Sequence, residues 1–186
     1  TIQTKNPDGS ELIEKSNGDI IRKSPNGEES LESPISSSVL DDGTKLFEYA
    51  DGSTKTISPN GIHTFTGPEG SIIIKDPTNA QIESLSPEGI KSLQKNNGVK
   101  VNTFPDGRVE TLLPDTTEFI DLPDGTRTVR KSDGVQITLS PSGERDMLFP
   151  DGKREIRSPD GQKETRKPNG EIVFESPDGT QRLVFP

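Results

Sequence analysis

Apolar residues in this chain come mostly in short, interrupted runs. From Arg108 to Leu113 the sequence reads Arg-Val-Glu-Thr-Leu-Leu, and from Lys153 to Ser158 it reads Lys-Arg-Glu-Ile-Arg-Ser. Val, Ile, Thr and Phe are separated by Glu, Lys and Arg, which is the signature of short strands on a half-buried sheet. Glycine punctuates these runs on a lattice of step nine: Gly9, Gly18 and Gly27; then Gly43, Gly52, Gly61 and Gly70; then Gly89 onward to Gly179. Thr116 fills one slot of the last block, Asn79 fills the slot after Gly70, and only Gly67 lies off the lattice. Two phase slips interrupt it. One is the stretch Ser33-Pro34-Ile35-Ser36-Ser37-Ser38, and the other is a single extra residue between Asn79 and Gly89.

The lattice glycine usually ends a Pro-Asp-Gly or Pro-Asn-Gly triplet, as in Pro7-Asp8-Gly9, Pro25-Asn26-Gly27, Pro105-Asp106-Gly107 and Pro159-Asp160-Gly161. Proline presets the first corner of a type I turn, Asp or Asn suits the second, and Gly takes the left-handed position that follows. That is a three-residue hairpin loop with a glycine bulge. Six residues separate successive loops, a normal strand length, so the chain predicts about nineteen or twenty short strands.

The period also predicts register. With Gly as zero, residue +6 faces +1 of the next strand, +5 faces +2, and +4 faces +3, and paired residues share a face. One central stripe of the last block then reads Leu93, Val101, Thr111, Phe119, Val129, Ile137, Met147, Glu155, Thr165, Val173 and Leu183. The opposite stripe, from Ser92 through Ile120 and Ile156 to Arg182, is mostly polar. Nothing in the chain supplies a second layer. The predicted fold is all-β: an open single-layer antiparallel β-meander, solvent-exposed on both faces and elongated. It forms one repeat-type domain over residues 1–186, about 90 Å long at the spacing of neighbouring strands. A β-solenoid would need an inward apolar face on every coil, and an odd period switches that face at each step.

Composition narrows the chemistry. Hydrophobic residues make up 25% of the chain, with 18 Gly and 16 Pro, no Trp and no Cys. Gly and Pro recur too often for a helix to grow. The absence of Cys removes disulfides, thiolate nucleophiles and zinc–cysteine sites. The net charge of −9 argues against a nucleic-acid partner. No apolar run is longer than Ile72-Ile73-Ile74, and three residues span no membrane. The single His63 has no triad or ligand partners at useful spacing. Asp41-Asp42-Gly43, the densest acidic turn, is explained by turn preference rather than calcium. The basic run Lys153, Arg154, Arg157, Lys163, Arg166 and Lys167 is interleaved with Glu155, Asp160 and Glu164 and reads as a solvated edge. No cofactor, no metal and no enzymatic activity are expected.

A strand plus Pro-Asp-Gly meander at period nine resembles the G-box. This is the C-terminal domain of the T-complex protein ten family, found in CPAP and its Sas-four relatives. The segment from Val39 through Leu46, Phe47 and Tyr49 to Gly52 is similar to the family's aromatic strand near the start of the domain. Phe104-Pro105-Asp106-Gly107-Arg108 and Phe149-Pro150-Asp151-Gly152-Lys153 are similar to its ordinary repeats. Where the family carries a Phe-Phe pair on the preceding strand, this chain has the polar Ser33–Ser38 stretch.

The resemblance implies a non-enzymatic scaffold domain in centriole or basal-body assembly. It would lie in the cytoplasm at the centrosome or cytoskeleton and dock a proline-rich segment of a STIL-like centriole-duplication protein. The expected partner site is Phe47, Tyr49, Phe65 and Leu46. Phe47 and Tyr49 are two apart and share a face with Phe65, and proline-rich helices dock on aromatic-lined grooves. The alternative is a structural repeat module that assembles end to end through its open sheet edges, as a fibre or surface protein.

Overall fold

The structure, a computed structural model, describes residues 1–5 and 9–186, and the side chains of all of these except 4 and 5. The expected turn at Pro7-Asp8-Gly9 therefore lies largely outside the described residues. Every regular element among them is a strand. The first ten are β1 (Ile2–Lys5), β2 (Glu11–Glu14), β3 (Ile20–Lys23), β4 (Glu29–Glu32), β5 (Ser36–Val39), β6 (Lys45–Glu48), β7 (Thr54–Ile57), β8 (His63–Thr66), β9 (Ile72–Asp76) and β10 (Gln81–Leu85). Eleven more follow: β11 (Lys91–Gln94), β12 (Lys100–Thr103), β13 (Val109–Leu112), β14 (Glu118–Asp121), β15 (Arg127–Arg130), β16 (Gln136–Leu139), β17 (Arg145–Leu148), β18 (Arg154–Arg157), β19 (Lys163–Arg166), β20 (Ile172–Glu175) and β21 (Gln181–Val184). They fall into two compact units, Thr1–Pro87 and Glu88–Pro186.

The turns have the chemistry that their triplets imply. At Leu40-Asp41-Asp42-Gly43 the Gly43 N–H donates to the Leu40 carbonyl at 2.9 Å, and the Leu40 N–H donates to the Thr44 carbonyl at 2.8 Å. The Asp42 carboxylate accepts the Thr44 N–H at 2.8 Å, so the aspartate staples its own turn. The same pair of bonds closes the turn at Leu113-Pro114-Asp115-Thr116, where Thr116 takes φ of 68° in place of Gly.

One lattice slot differs from the expectation. The left-handed residue after Gly70 is Ala80, with φ of 52°, not Asn79. The extra residue sits inside this turn, between Asp76 and Gln81, which are paired. Asn79 plays the part that Asp plays elsewhere: its side-chain oxygen accepts the Gln81 N–H at 2.9 Å.

In the unit Glu88–Pro186, strands β11 to β21 pair in sequence order, all antiparallel. The stripe beginning Leu93↔Val101, Val101↔Thr111 and Thr111↔Phe119 runs on without a break to Val173↔Leu183. The polar stripe lies opposite, from Ser92↔Asn102 to Phe174↔Arg182. The sheet is open, not a closed barrel. Its charges pair across strands: Arg130 with Glu118 at 2.8 Å, Arg154 with Asp146 at 2.5 Å, and Lys163 with Glu155 at 3.2 Å. The basic run is thereby largely neutralised in place. In both repeats similar to the family's, a cation lies over the ring before the turn: Arg108 is 3.8 Å from the Phe104 centroid and Lys153 is 4.0 Å from that of Phe149.

In the unit Thr1–Pro87 the meander runs from β5 to β10, but β1 to β4 form a separate four-stranded sheet. The division falls at the first phase slip, where Ser33-Pro34-Ile35 replaces a hairpin turn. The separate sheet lies against one face of β6–β9, which is therefore not wet on both sides. Ile20, Phe47 and Tyr49 form a small buried core there, with Leu12, Ile57 and Phe65 packed against it. The physical reason is the row of apolar groups on both partners, Leu12 and Ile20 against three aromatic rings, which gain by leaving water together.

Candidate functional site

The site begins with strand alternation. In β6, Phe47 points to one face and Leu46 to the other. The ladder then aligns Phe47 with Lys55, Lys55 with Phe65, and Phe65 with Ile73 in a single row. A second row on the same face aligns Ile57, His63 and Lys75. Tyr49 follows β6 on that same face, its ring centroid 6.5 Å from that of Phe65 in a tilted arrangement. Phe47, Tyr49 and Phe65 are thus brought together as the spacing implied. Leu46 is not: it aligns with Thr56 on the opposite face, because adjacent residues of a strand cannot share one.

The aromatic face is covered. Phe47 is 5% exposed and Tyr49 is 2% exposed. The β2–β3 turn sits directly on them. A Cβ at Gly18 would lie 2.4 Å from Cδ1 of Phe47, so only glycine fits. The Tyr49 hydroxyl donates to the Gly18 carbonyl at 2.5 Å. Burial pushes the Tyr49 phenol up to about 12, and the nearby carboxylates Glu32 and Glu14 add to this.

Beside the rings lies a buried charge cluster that the sequence did not reveal. Glu14 of β2 reaches down among Lys55, His63 and Lys75. Lys55 Nζ is 2.9 Å from its Oε2, His63 Nδ1 is 3.2 Å from the same oxygen, and Lys75 Nζ is hydrogen-bonded to Oε1. Lys55 is 1% exposed. Burial raises the Glu14 carboxyl, and the two ammonium groups more than reverse this, bringing it down to about 2. Burial also lowers the His63 imidazole, against the pull of Glu14, so the ring is neutral at neutral pH. A cavity of about 70 Å³ remains between the two sheets, lined by Leu12, Ile20, Phe65 and Ile73 together with the charged groups. His63 lies 49 positions from Glu14, so spacing along the chain carried no sign of their meeting.

The site thus combines packed rings, a charge cluster and a small gap, all covered by the β1–β4 sheet. Among the described residues, no group of three or more His, Cys, Asp or Glu could hold a metal ion. The Asp42 carboxylate of the acidic turn is engaged with Thr44.

Comparison with known proteins agrees with the fold. The profile of the T-complex protein 10 C-terminus matches residues 96–130, 141–175 and 150–184. No curated protein sequence matches. Among solved structures, the G-box domain of the microcephaly protein CPAP, described as suggesting a role in centriole elongation, is 32% identical with a TM-score of 0.76; the alignment covers 81% of this chain and 98% of that one. A TCP10 domain of CPAP from Danio rerio, in complex with a peptide of STIL, is 24% identical with a TM-score of 0.67, over 100% of this chain and 99% of that one. A dCPAP domain from Drosophila melanogaster, in complex with a proline-rich motif of Ana2, is 19% identical with a TM-score of 0.52, over 81% of this chain and 89% of that one. Period, register, turn chemistry and the similarity to the CPAP G-box together show that the chain belongs to the T-complex protein 10 C-terminus family.

Proposed function

We propose that this chain is a non-enzymatic scaffold domain of centriole or basal-body assembly that docks a proline-rich linear motif of a STIL-like protein on the face carrying Phe47, Tyr49 and Phe65. The observation that carries the reading is the convergence of these three aromatic residues on one face of β6–β8. An extended proline-rich segment is already ordered, so stacking on rings supplies affinity at little entropic cost. The complexes of domains with this fold, one with a STIL peptide and one with a proline-rich motif of Ana2, support the choice of ligand. Such a domain acts at the centriole and its surrounding cytoskeleton.

Calorimetric titration with a proline-rich motif of the Ana2 type tests the reading. Phe47→Ala and Phe65→Ala are each expected to weaken binding by about 1–3 kcal/mol, the range of interface hot spots. Phe174→Ala, in the other unit, is expected to leave it unchanged. Equal losses for all three, or loss for Phe174 alone, would place the ligand elsewhere.

A further inference from the structure

The underside of the β1–β4 sheet shows what the docking face accepts. On that sheet Leu12, Glu14, Ile20 and Arg22 share the inner face, since Leu12 pairs with Arg22 and Glu14 with Ile20. Leu12 and Ile20 pack on the aromatic cluster, and Glu14 enters the corner formed by Lys55, His63 and Lys75. Among the described residues no ladder joins this sheet to β5–β10. It is held by apolar contacts, the Tyr49–Gly18 hydrogen bond and the Glu14 ion pairs. A sheet held this way can lift as a body about the Ser33-Pro34-Ile35 connection without breaking its own ladders or those beneath it.

The ion pairs constrain what can replace it. Lys55 stands in the middle of the row between Phe47 and Phe65. Any ligand that covers both rings also covers Lys55. Burying that ammonium without a counter-charge is strongly unfavourable, so the replacement has to bring an anion. We propose that β1–β4 is an internal occupant of the docking face, and that the segment displacing it is a proline-rich peptide carrying an acidic side chain next to its prolines. In that exchange the prolines take the place of Leu12 and Ile20, and the acid takes the place of Glu14 between Lys55 and Lys75. The inference rests on the docking reading above and adds the charge of the ligand and the displacement of β1–β4.

The test uses the full chain and synthetic proline-rich peptides. Each carries one Glu at a different position and has a Gln twin. Affinity is measured by calorimetry, and the β2 and β3 amides are followed by hydrogen exchange. At one position the Glu peptide is expected to bind at least about tenfold tighter than its twin, as for other buried charge pairs. Its binding is expected to speed exchange at the amides of β1–β4, because a four-stranded sheet stripped of its buried face opens more readily. Glu14→Gln loosens the internal occupant, so more of the chain is competent to bind and the affinity for the Glu peptide rises by about a hundredfold or more. If the twins bind equally while Phe47→Ala still weakens binding, the docking reading survives and this inference falls. Binding that leaves β1–β4 protected has the same meaning. If no peptide binds, even to Glu14→Gln, both fall. The exchange measurement on the unaltered chain decides the displacement even where that variant fails to fold.

Discussion

At the residue scale, the turn triplet governs this molecule. Gly125 shows how. Its N–H closes the turn on the Leu122 carbonyl at 3.0 Å, its φ is +86°, and Asp124 accepts the next N–H at 2.8 Å. A Cβ there would also stand 3.4 Å from Cγ of Pro141, the proline of the turn two repeats on. Substitution therefore meets both a left-handed backbone and a neighbouring ring. Gly125→Val is expected to cost about 2 kcal/mol, within the range for a β-branched residue held at positive φ. Thr116→Val is expected to cost less than about 1 kcal/mol, because that turn already holds a β-branched side chain. Thermal melts of the two variants check the difference, and equal costs would mean that the lattice does not depend on left-handed glycine. This chemistry was legible in the sequence because each triplet is local. The Ala80 turn was not, because spacing alone does not show on which side of Asn79 an inserted residue falls.

At the element scale, β2 does what no local pattern announces. The apolar residues that the period marks on this sheet, Ile13 and Leu31, sit on its outer face, and Leu31 is 63% exposed. Docking uses the positions between them. The sequence carried one sign of a separate element, the phase slip at Ser33–Ser38, but nothing to say which face it would cover. Glu14 provides the element's test. Removing its charge leaves Lys55 buried without a counter-ion, so Glu14→Gln is expected to cost about 3–5 kcal/mol. Glu155→Gln, among half-exposed Lys153 and Lys163, is expected to cost less than about 1 kcal/mol.

The pH dependence follows with a definite sign. Glu14 sits at about 2 in the fold against 4.5 ordinarily, so its stabilisation is complete above 4.5 and is lost as pH falls through about 2. His63, held neutral by burial, acts in the same direction: protonation disfavours the fold once pH drops below its ordinary 6.5. Lys55, Lys75 and Arg22 line the same cavity. Tyr49 is the chain's single tyrosine and bonds the β2–β3 turn, so its fluorescence reports this docking. Its signal is expected to change progressively on acidification and to be flat from pH 7 to pH 8. A transition centred near neutrality and independent of Glu14 would contradict the cluster's role.

At the scale of the whole molecule, regularity and candidate function lie in different units. The family profile matches only within Glu88–Pro186, where the repeat runs most evenly. The aromatic face lies in Thr1–Pro87, where the lattice slips and a second layer is added. The regular unit draws its stability from many cross-strand pairs, each worth roughly 0.2–1 kcal/mol, so no single pair dominates. The other unit concentrates its stability in a few buried side chains, and Phe47→Ala is expected to cost about 3 kcal/mol there. The most direct measurement maps amide chemical shifts across the full chain while a proline-rich peptide is added. The expected result is that the largest shifts fall on β6–β9 around Phe47, Tyr49 and Phe65, with coupled shifts in β1–β4. Shifts concentrated in Glu88–Pro186, or confined to the opposite face around Leu46 and Thr56, would contradict the aromatic face as the docking site.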